Sequence, residues 1–340
     1  MKANAKSRSP SVRIVTIGGG TGLSMLLGGL KEYVARRADR STRHPITDLA
    51  AVVTVTDDGG SSGRLRREYG ILPPGDIRNC MVALSKDETL LGRLFQYRFP
   101  AGRGLRGHSF GNLFLTALSH VTGDFTEAVR LSGEVLAIRG RIFPSTTQNI
   151  TLEAVMEDGE VVSGETRIAR SGKRIRRVRL VPRRARPLPE VLETIRHADL
   201  IVIGPGSLYT SIIPNLLVRG VAKAIRKSEA TRVYISNLMT QPGETQGYSV
   251  ADHVRAIHQH THRRLIDWVI VNRQPISPAV ARRYRAEGAE PVRTDLDELQ
   301  RMGLRCVFED LLEEHGVVRH SREQLTRLLL EEFVERPPAR

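Results

Sequence analysis

The first residues that could do chemistry form a glycine-rich turn between an apolar run and a series of leucines at helical spacing. They are Gly18, Gly19, Gly20, Thr21 and Gly22. Glycines let the backbone turn sharply and approach a ligand, and the free N–H groups at the start of a helix attract an anion. We therefore expect this turn to hold the phosphates of a nucleotide-type ligand, with the Thr21 hydroxyl on a phosphate oxygen.

The spacing of these glycines argues against two common phosphate-binding motifs. In a GxGxxG motif, counting from Gly18 puts Leu23 at the third glycine, and counting from Gly20 puts Met25 there. The chain also lacks a GxxxxGK[ST] sequence. Nicotinamide redox chemistry and P-loop ATP hydrolysis are therefore disfavoured, while a tight turn without a ligand remains an alternative.

A second cluster of acids, glycines and serines follows the apolar run Leu49 to Thr56. Its members are Asp57, Asp58, Gly59, Gly60, Ser61 and Ser62. Open α/β sheets bind ligands at the carboxyl ends of their strands. Here the paired carboxylates could hold magnesium, accept hydrogen bonds from a ribose or sugar, or act as a base. The alternative is a turn that Asp57 caps.

Two further segments place polar side chains at predicted helix starts. Arg78 and Asn79 follow Asp76, a candidate helix cap. His108 and Asn112 are four residues apart around small residues. We take His108, with the two aspartates above, as a candidate catalytic residue. Capping and a structural hydrogen bond from the histidine are the alternatives.

A second glycine-rich turn occurs in the other half of the chain. Gly204, Gly206 and Ser207 follow the strongly apolar segment ADLIVI, and Asn237 ends the next predicted strand. If both glycine turns belong to one sheet, they can face each other at the point where the strand order reverses.

These segments need a sheet to hold them together. Apolar runs at 12–17, 49–56, 198–203, 233–235 and 268–271 alternate with helical patterns. Such alternation predicts an α/β fold with a Rossmann-like, doubly wound, mostly parallel sheet. We assign 11–147 and 187–334 to one nucleotide-binding domain, and expect disordered tails at 1–10 and 335–340.

Residues 148–186 interrupt this alternation. Asp158 and Gly159 separate two alternating runs, which predicts a small antiparallel β-hairpin insertion. The chain has a net charge of +15, and ten basic residues with no acid lie between Arg167 and Arg186. We interpret this segment as a solvated face rather than a polyanion-binding patch. Nucleic-acid binding remains a disfavoured alternative.

The cysteine content and the apolar segments of the chain predict its cellular location. The two cysteines, Cys80 and Cys306, have no CxxC partner, so neither a disulfide framework nor a thiolate zinc site is expected. No apolar window approaches the length of a membrane span, and the first ten residues lack a signal-peptide pattern. A cytoplasmic protein is expected, with a homodimer as a possible assembly.

Six motifs in order resemble the YvcK family of gluconeogenesis factors and, more distantly, the CofD family of phospholactate transferases. They are GGGTGL, DDGGSSGRLR, PPGDIRNC, GHSFGNL, GPGSLYTSIIPNLLV and NLMTQPGET. The resemblance covers about residues 11–334. It implies a cytoplasmic role in growth on gluconeogenic carbon sources and in cell shape, with binding of UDP-sugars such as UDP-N-acetylglucosamine. The ligand shell implied by the motifs is Gly19, Gly20, Thr21, Gly22, Asp57, Asp58, His108, Asn112, Gly206 and Ser207.

The CofD resemblance implies a different activity. Its members hold a guanine nucleotide and phospholactate near magnesium and transfer the group to a deazaflavin hydroxyl; here Asp57 and Asp58 would be the candidate magnesium ligands. We rank a nucleotide-sugar-binding regulatory protein first, a CofD-like transferase second and a nucleic-acid-associated protein third.

Overall fold

The computed structural model describes residues 11–35, 45–86, 90–262 and 264–335. The tail expected at 1–10 and residues 336–340 of the tail expected at 335–340 lie outside these residues, whereas Glu335 ends a helical turn. In chain order, the strands of the described residues are β1 (Val12–Gly18), β2 (Ile46–Val53), β3 (Arg141–Pro144), β4 (Thr151–Met156), β5 (Val161–Ser163), β6 (Ile175–Val181), β7 (Leu200–Ile203), β8 (Thr231–Ile235), β9 (Trp268–Asn272), β10 (Arg305–Glu309), β11 (Leu312–His315) and β12 (Val317–His320).

The α-helices pack on and around the main sheet. In chain order they are α1 (Gly20–Leu30), α2 (Gly60–Tyr69), α3 (Gly75–Leu84), α4 (Leu90–Gln96), α5 (Phe110–Thr122), α6 (Phe125–Val135), α7 (Glu165–Arg170), α8 (Pro189–His197), α9 (Ile213–Leu217), α10 (Val221–Lys227), α11 (Val250–His260), α12 (Pro278–Ala286), α13 (Leu296–Arg301) and α14 (Arg322–Leu329). A 3₁₀ turn occupies Lys31–Tyr33, and π-helical turns occupy Leu208–Ile212 and Leu330–Glu335. None of the described helices is long and apolar enough to cross a membrane.

The main sheet has seven strands in the order β10-β9-β8-β7-β1-β2-β3, and every neighbouring pair is parallel. The chain builds one half outward from β1 to β3, returns to β7, and builds the other half outward to β10. The strand order therefore reverses between β1 and β7. This confirms the predicted Rossmann-like α/β fold, and buried strands such as β7 explain the near-continuous apolar runs.

The insertion is larger than a hairpin. β4 and β5 pair antiparallel around Asp158 and Gly159, as the sequence predicts, but β6 joins the other side of β4 and α7 lies between β5 and β6. Alternating side chains of β4, including Leu152 and Ala154, are buried beneath this small sheet. The third strand explains the insertion's length.

The last third of the chain contains elements that the sequence pattern missed. The edge strand β10 is only partly buried, and β11 and β12 form a short hairpin with polar side chains. The final helix starts after Ser321, whose hydroxyl accepts the N–H of Gln324 at 3.4 Å. Only one of the two hydrogen bonds of a capping box is present, because the Gln324 side chain accepts from Arg327.

Candidate functional site

A cleft of about 1150 Å³ opens beside the glycine turns that follow β1 and β7, where the strand order reverses. This is the position at which doubly wound folds bind ligands. The predicted residues that line it are Gly19, Gly20, Thr21, Gly22, Arg78, Asn79, Gly206, Ser207 and Asn237. Both glycine turns and the end of β8 therefore meet at one cleft.

Close backbone packing explains the glycines of the first turn. A Cβ at Gly22 would lie 2.5 Å from the carbonyl oxygen of Pro205, so α1 can start against the second turn only with glycine there. Gly20 has a φ of +66°, a conformation that side chains disfavour. The carbonyl of Gly18 accepts hydrogen bonds from the Thr54 N–H and the Asn215 amide, at 3.0 and 2.8 Å. The turn is therefore held rigidly.

An acidic side chain lies directly behind this turn. A Cβ at Gly19 would be 2.6 Å from Oδ2 of Asp76. Desolvation raises the pKa of Asp76 to about 6, and repulsion from Asp57 adds to the rise. The nearby N–H of Gly20 and the charge of Arg78 oppose it. The sequence predicts Asp76 only as a cap, yet its charge acts on the anion-binding end of α1.

The cleft also presents polar atoms that lack hydrogen-bond partners in the described structure. Arg78 is only 8% exposed, and its Nε is buried and unpartnered, while another guanidinium nitrogen donates to Asn79 at 2.6 Å. The Oδ1 of Asn237 is likewise buried without a partner. Ser207 accepts from Gln241 at 2.7 Å. Both residues line the cleft, and because buried polar groups are nearly always satisfied, a movement of either side chain toward a bound ligand would satisfy its partnerless atom.

The opposite wall comes from α12, β12 and the start of α14, which the sequence analysis missed. Tyr284, Arg319, His320 and Arg322 line this side. Arg319 and Arg322 are exposed, and neither makes an ion pair in the described part of the chain. His320 is buried against the carbonyl of Ser236, and burial lowers its pKa to about 4, so it is neutral at pH 7. Only the tertiary fold brings this wall to the glycine turns.

The structure does not bring every predicted site residue to this cleft. Ser61 Oγ lies 2.9 Å from Nδ1 of His108 and accepts the amide N–H of Asn112 at 3.1 Å, and all three residues are buried. Ser62 accepts the backbone N–H of Gly75 at 3.1 Å. These side chains join α2 to α3 and α5. Burial, with the charge of Arg64, lowers the pKa of His108.

The two aspartates after β2 make local and inter-element contacts. Asp57 accepts the Gly59 N–H at 2.9 Å, and Asp58 accepts both the N–H and the hydroxyl of Thr166, at 2.9 and 2.7 Å. Asp58 therefore caps α7 and fastens the insertion to the sheet. Gly60 starts α2, and neither Gly18 nor Gly204 lines the cleft.

Magnesium does not fit these residues as a site built by the protein alone. Among the described residues, no group of three or more His, Cys, Asp or Glu side chains could hold a metal ion. Oxygens of both Asp57 and Asp58 are already engaged by N–H or O–H donors. We derive no chemical step through a metal.

Two more acids lie close to the end of β2. Thr56 donates to Glu165, and Thr210 donates to Glu244 at 3.2 Å. Desolvation raises the pKa of Glu165 well above its ordinary value and that of Glu244 to about 7. Neither residue lines the cleft. Glu165 connects the insertion to Thr56, just after β2, and Glu244 connects the loop after β8 to Thr210, just after the second glycine turn.

The fold and the cleft define a Rossmann-like α/β protein with its candidate ligand site at the reversal of strand order. The model of the CofD family, described as 2-phospho-L-lactate transferase CofD, matches residues 14–312. The chain therefore belongs to the CofD family, in the branch formed by the gluconeogenesis factors, as the resemblance implied.

Curated relatives and solved structures support this assignment. The gluconeogenesis factor of Bacillus subtilis is 49% identical over 320 residues, covering 94% of this chain and 97% of the relative. That of Halalkalibacterium halodurans is 48% identical over 319 residues, covering 94% of this chain and 95% of the relative. A crystal structure of a UPF0052 family member from Bacillus halodurans superimposes with a TM-score of 0.88 at 47% identity, covering 94% of this chain and 99% of that one.

Proposed function

We propose that this protein is a regulatory protein that binds a nucleotide sugar of the UDP-N-acetylglucosamine type and does not turn it over. The observation that carries the proposal is the pairing of the glycine turn with three arginines around one cleft. Arg78 comes from α3, Arg319 from β12 and Arg322 from α14. Backbone N–H groups at a helix start and guanidinium groups are the usual partners of a diphosphate.

The size and polarity of the cleft support a ligand larger than a phosphate. Pockets for drug-sized ligands occupy about 300–1,000 Å³, and this cleft has about 1150 Å³. The partnerless Nε of Arg78 and Oδ1 of Asn237 are buried in residues that line the cleft, and a side-chain movement on binding would supply one donor and one acceptor. A nucleotide sugar carries a diphosphate, hydroxyl groups and an amide that could use both.

The positions of the candidate catalytic residues favour binding without turnover. Asp58 is bonded to Thr166, and His108 is hydrogen-bonded to Ser61 beneath α2. Neither lines the cleft, and His320, which does, is neutral and bonded to a backbone carbonyl. The proposal therefore assigns the cleft to recognition and regulation.

Calorimetry tests this proposal directly. UDP-N-acetylglucosamine should bind the native chain, and Thr21→Val, which removes a hydroxyl while keeping the side-chain shape, should weaken binding about tenfold. Thr21→Ser keeps the hydroxyl and is the matched control. Arg319→Ala should cost at least as much, because hydrogen bonds to charged groups contribute about 1.5–3 kcal/mol. Failure of every UDP-sugar to bind the native chain would rule the proposal out.

The physiological part of the proposal is support of growth on gluconeogenic carbon sources and of normal cell shape. A Bacillus subtilis strain lacking its own gluconeogenesis factor provides the test, since that relative is 49% identical. The native chain should restore growth and shape, whereas the double variant Thr21→Val with Arg319→Ala, in which the two losses of affinity combine, should not. If a variant that no longer binds the sugar nucleotide still restores growth and shape, ligand binding is not required for the physiological role.

A CofD-like transferase is the second candidate, and the family match over residues 14–312 favours it. Such an enzyme would break the diphosphate bond of a nucleotide diphosphate donor, transfer the phospholactyl group to a deazaflavin hydroxyl that loses its proton, and release the nucleoside monophosphate. The test is incubation with an activated phospholactate donor, the deazaflavin and magnesium, followed by mass spectrometry. Absence of product, with sugar-nucleotide binding intact, favours the regulatory function.

A further inference from the structure

We propose that the insertion carries a second binding surface, separate from the cleft, that binds the phosphate backbone of duplex nucleic acid without reading its sequence. We call this surface the arginine strip. It consists of Arg174, Arg176, Arg177, Arg183, Arg184 and Arg186. None of these residues lines the cleft.

The charges of the strip are exposed and uncompensated in the described structure. All six arginines are exposed, and none forms an ion pair with a described acid. Other basic residues of the insertion do have acidic partners: Arg179 pairs with Glu153, and Lys173 pairs with Asp158 and Glu160. Uncompensated charge is therefore concentrated in the strip. Protein surfaces ordinarily intersperse both signs of charge.

Local strand geometry turns two consecutive arginines outward. The pairing of β4 with β6 shifts register between Val155 and Met156, which breaks the strict alternation of inward and outward side chains. Ile175 and Val178 are buried, while Arg176 and Arg177 between them are both exposed. The strip thus gains one more outward cation than a regular strand allows.

The strip is held on a rigid support. Two sets of hydrogen bonds hold the insertion on the main domain. Asp58 accepts from Thr166, and the Arg66 guanidinium donates to Asn149 at 3.0 Å. On its other side, the Val178 N–H donates to His260 at 2.9 Å. These contacts hold the insertion, and with Val178 the strand β6 that carries Arg176 and Arg177, against the main domain. Pre-positioned cations lose little freedom when they bind an anionic surface.

The basic surface continues beyond the insertion. The N–H of Arg219 donates to the carbonyl of Ala185 at 2.9 Å, which places the turn before α10 against the strip. Arg219 and Lys223 are both exposed. The basic surface therefore includes cations from two segments, 174–186 and 219–223, and such an extent suits an extended polyanion better than one small anion.

The residue types of the strip and of the insertion around it indicate which class of polyanion the strip binds. All six residues are arginine, whose planar group binds phosphate oxygens in pairs. Residues 148–186 contain no Phe, Tyr or Trp, so the insertion offers no platform for stacking unpaired bases. Its exposed large apolar side chains are only Val161 and Val181 among the described residues, too little to enter a lipid surface. These features favour phosphate contacts on a duplex.

Fluorescence anisotropy with a labelled 20-base-pair duplex tests the proposal. Between 50 and 200 mM KCl, affinity should fall about 100-fold or more, as expected for about four or more phosphate contacts. Replacing Arg174, Arg176 and Arg177 by glutamine should weaken binding at 50 mM KCl at least tenfold. The salt slope should also become shallower by about three, one per lost contact. The matched control is Arg282→Gln with Arg285→Gln, two exposed arginines on α12.

Three results would overturn the inference. These are a salt-independent affinity, an equal loss in the control variant, or preferential binding to unpaired strands or to vesicles with 30% phosphatidylserine. Calorimetry with UDP-N-acetylglucosamine should be the same for the triple variant and the native chain. This second measurement confirms that the variant folds, and it separates a failure of the strip from a failure of the proposed cleft ligand.

Discussion

Asp76 Oδ2 lies where it would be only 2.6 Å from a Cβ on Gly19, so a carboxylate packs directly against the glycine turn after β1. The φ of Gly19 is −175°, which any residue can adopt. It is therefore the close approach of Asp76, and not the backbone conformation, that requires glycine at this position. An anion bound at the turn must therefore tolerate, or neutralise, a neighbouring acid. We therefore expect ligand binding at this turn to depend on pH.

Replacing Asp76 by asparagine should increase affinity for UDP-N-acetylglucosamine at pH 8 and flatten its pH dependence. The pKa of Asp76 is raised to about 6, so the group is ionised above that pH. A bound diphosphate favours the protonated acid, so binding takes up a proton and affinity rises as the pH falls from 8 to 6. Calorimetry at pH 6, 7 and 8 measures this. Asp297→Asn, at an exposed position on α13, is the control; equal pH profiles for native chain and Asp76→Asn would contradict the expectation.

Gly22→Ala should strongly destabilise the protein, by about 1–3 kcal/mol or more, because the added methyl meets a backbone oxygen of Pro205 at 2.5 Å. Gly18→Ala, in the same turn, meets nothing closer than 3.7 Å and should change stability by less than about 1 kcal/mol. Urea unfolding of both variants gives the comparison. Equal losses would mean that the close approach to the second turn does not decide the choice of glycine.

His108→Ala should lower stability by about 1–3 kcal/mol while leaving sugar-nucleotide affinity unchanged, because it leaves buried Ser61 without one of its partners. The pKa of His108 is lowered, so the native state disfavours its charged form. The stability that neutral His108 contributes is therefore fully present above the ordinary histidine pKa. It is lost as the pH falls from that value through the lowered pKa of the folded state. Urea unfolding at pH 5 and 7, paired with calorimetry, checks both parts. If His108→Ala remains stable but loses most of its affinity for the sugar nucleotide, His108 takes part in ligand binding.

Asp58→Asn should loosen the insertion without creating or removing a magnesium requirement. The carboxylate accepts two hydrogen bonds from Thr166 at the start of α7, and a helix-capping residue contributes about 0.5–2 kcal/mol. Hydrogen exchange should increase in 165–170, with less change in β1 and β7. Asp57→Asn, at the neighbouring carboxylate whose hydrogen bond is to Gly59 and not to the insertion, is the control. A magnesium-dependent ligand affinity that disappears in Asp58→Asn would indicate a metal role instead.

Local patterns predicted the centre of the fold well. The runs that became β1, β2, β7, β8 and β9 are apolar because parallel strands are covered on both faces, so their sequence signal is strong. The strands β3 and β10 lie at the sheet edges and are shorter or more exposed, and the pattern missed them. The same reasoning found the hairpin at Asp158 but not the third strand β6.

The candidate site was predictable only in part. The glycine turns at 18–22 and 204–207 stand out because backbone approach demands glycine. Tyr284 and Arg319 on the opposite wall carry no spacing signal, since they come from separate short elements. Conversely, Ser61, His108 and Asn112 have the composition of a catalytic cluster and are hydrogen-bonded to one another between helices.

The sequence by itself determined the doubly wound fold class, the glycine-rich turn after β1 and the concentration of positive charge between Arg167 and Arg186. These are local properties, set by side-chain periodicity, backbone freedom and charge along the chain. The tertiary structure alone decided which polar groups share the cleft, that Asp76 lies behind Gly19, and that Asp58 fastens the insertion. Such contacts join residues far apart in the chain, and close packing of whole elements selects them.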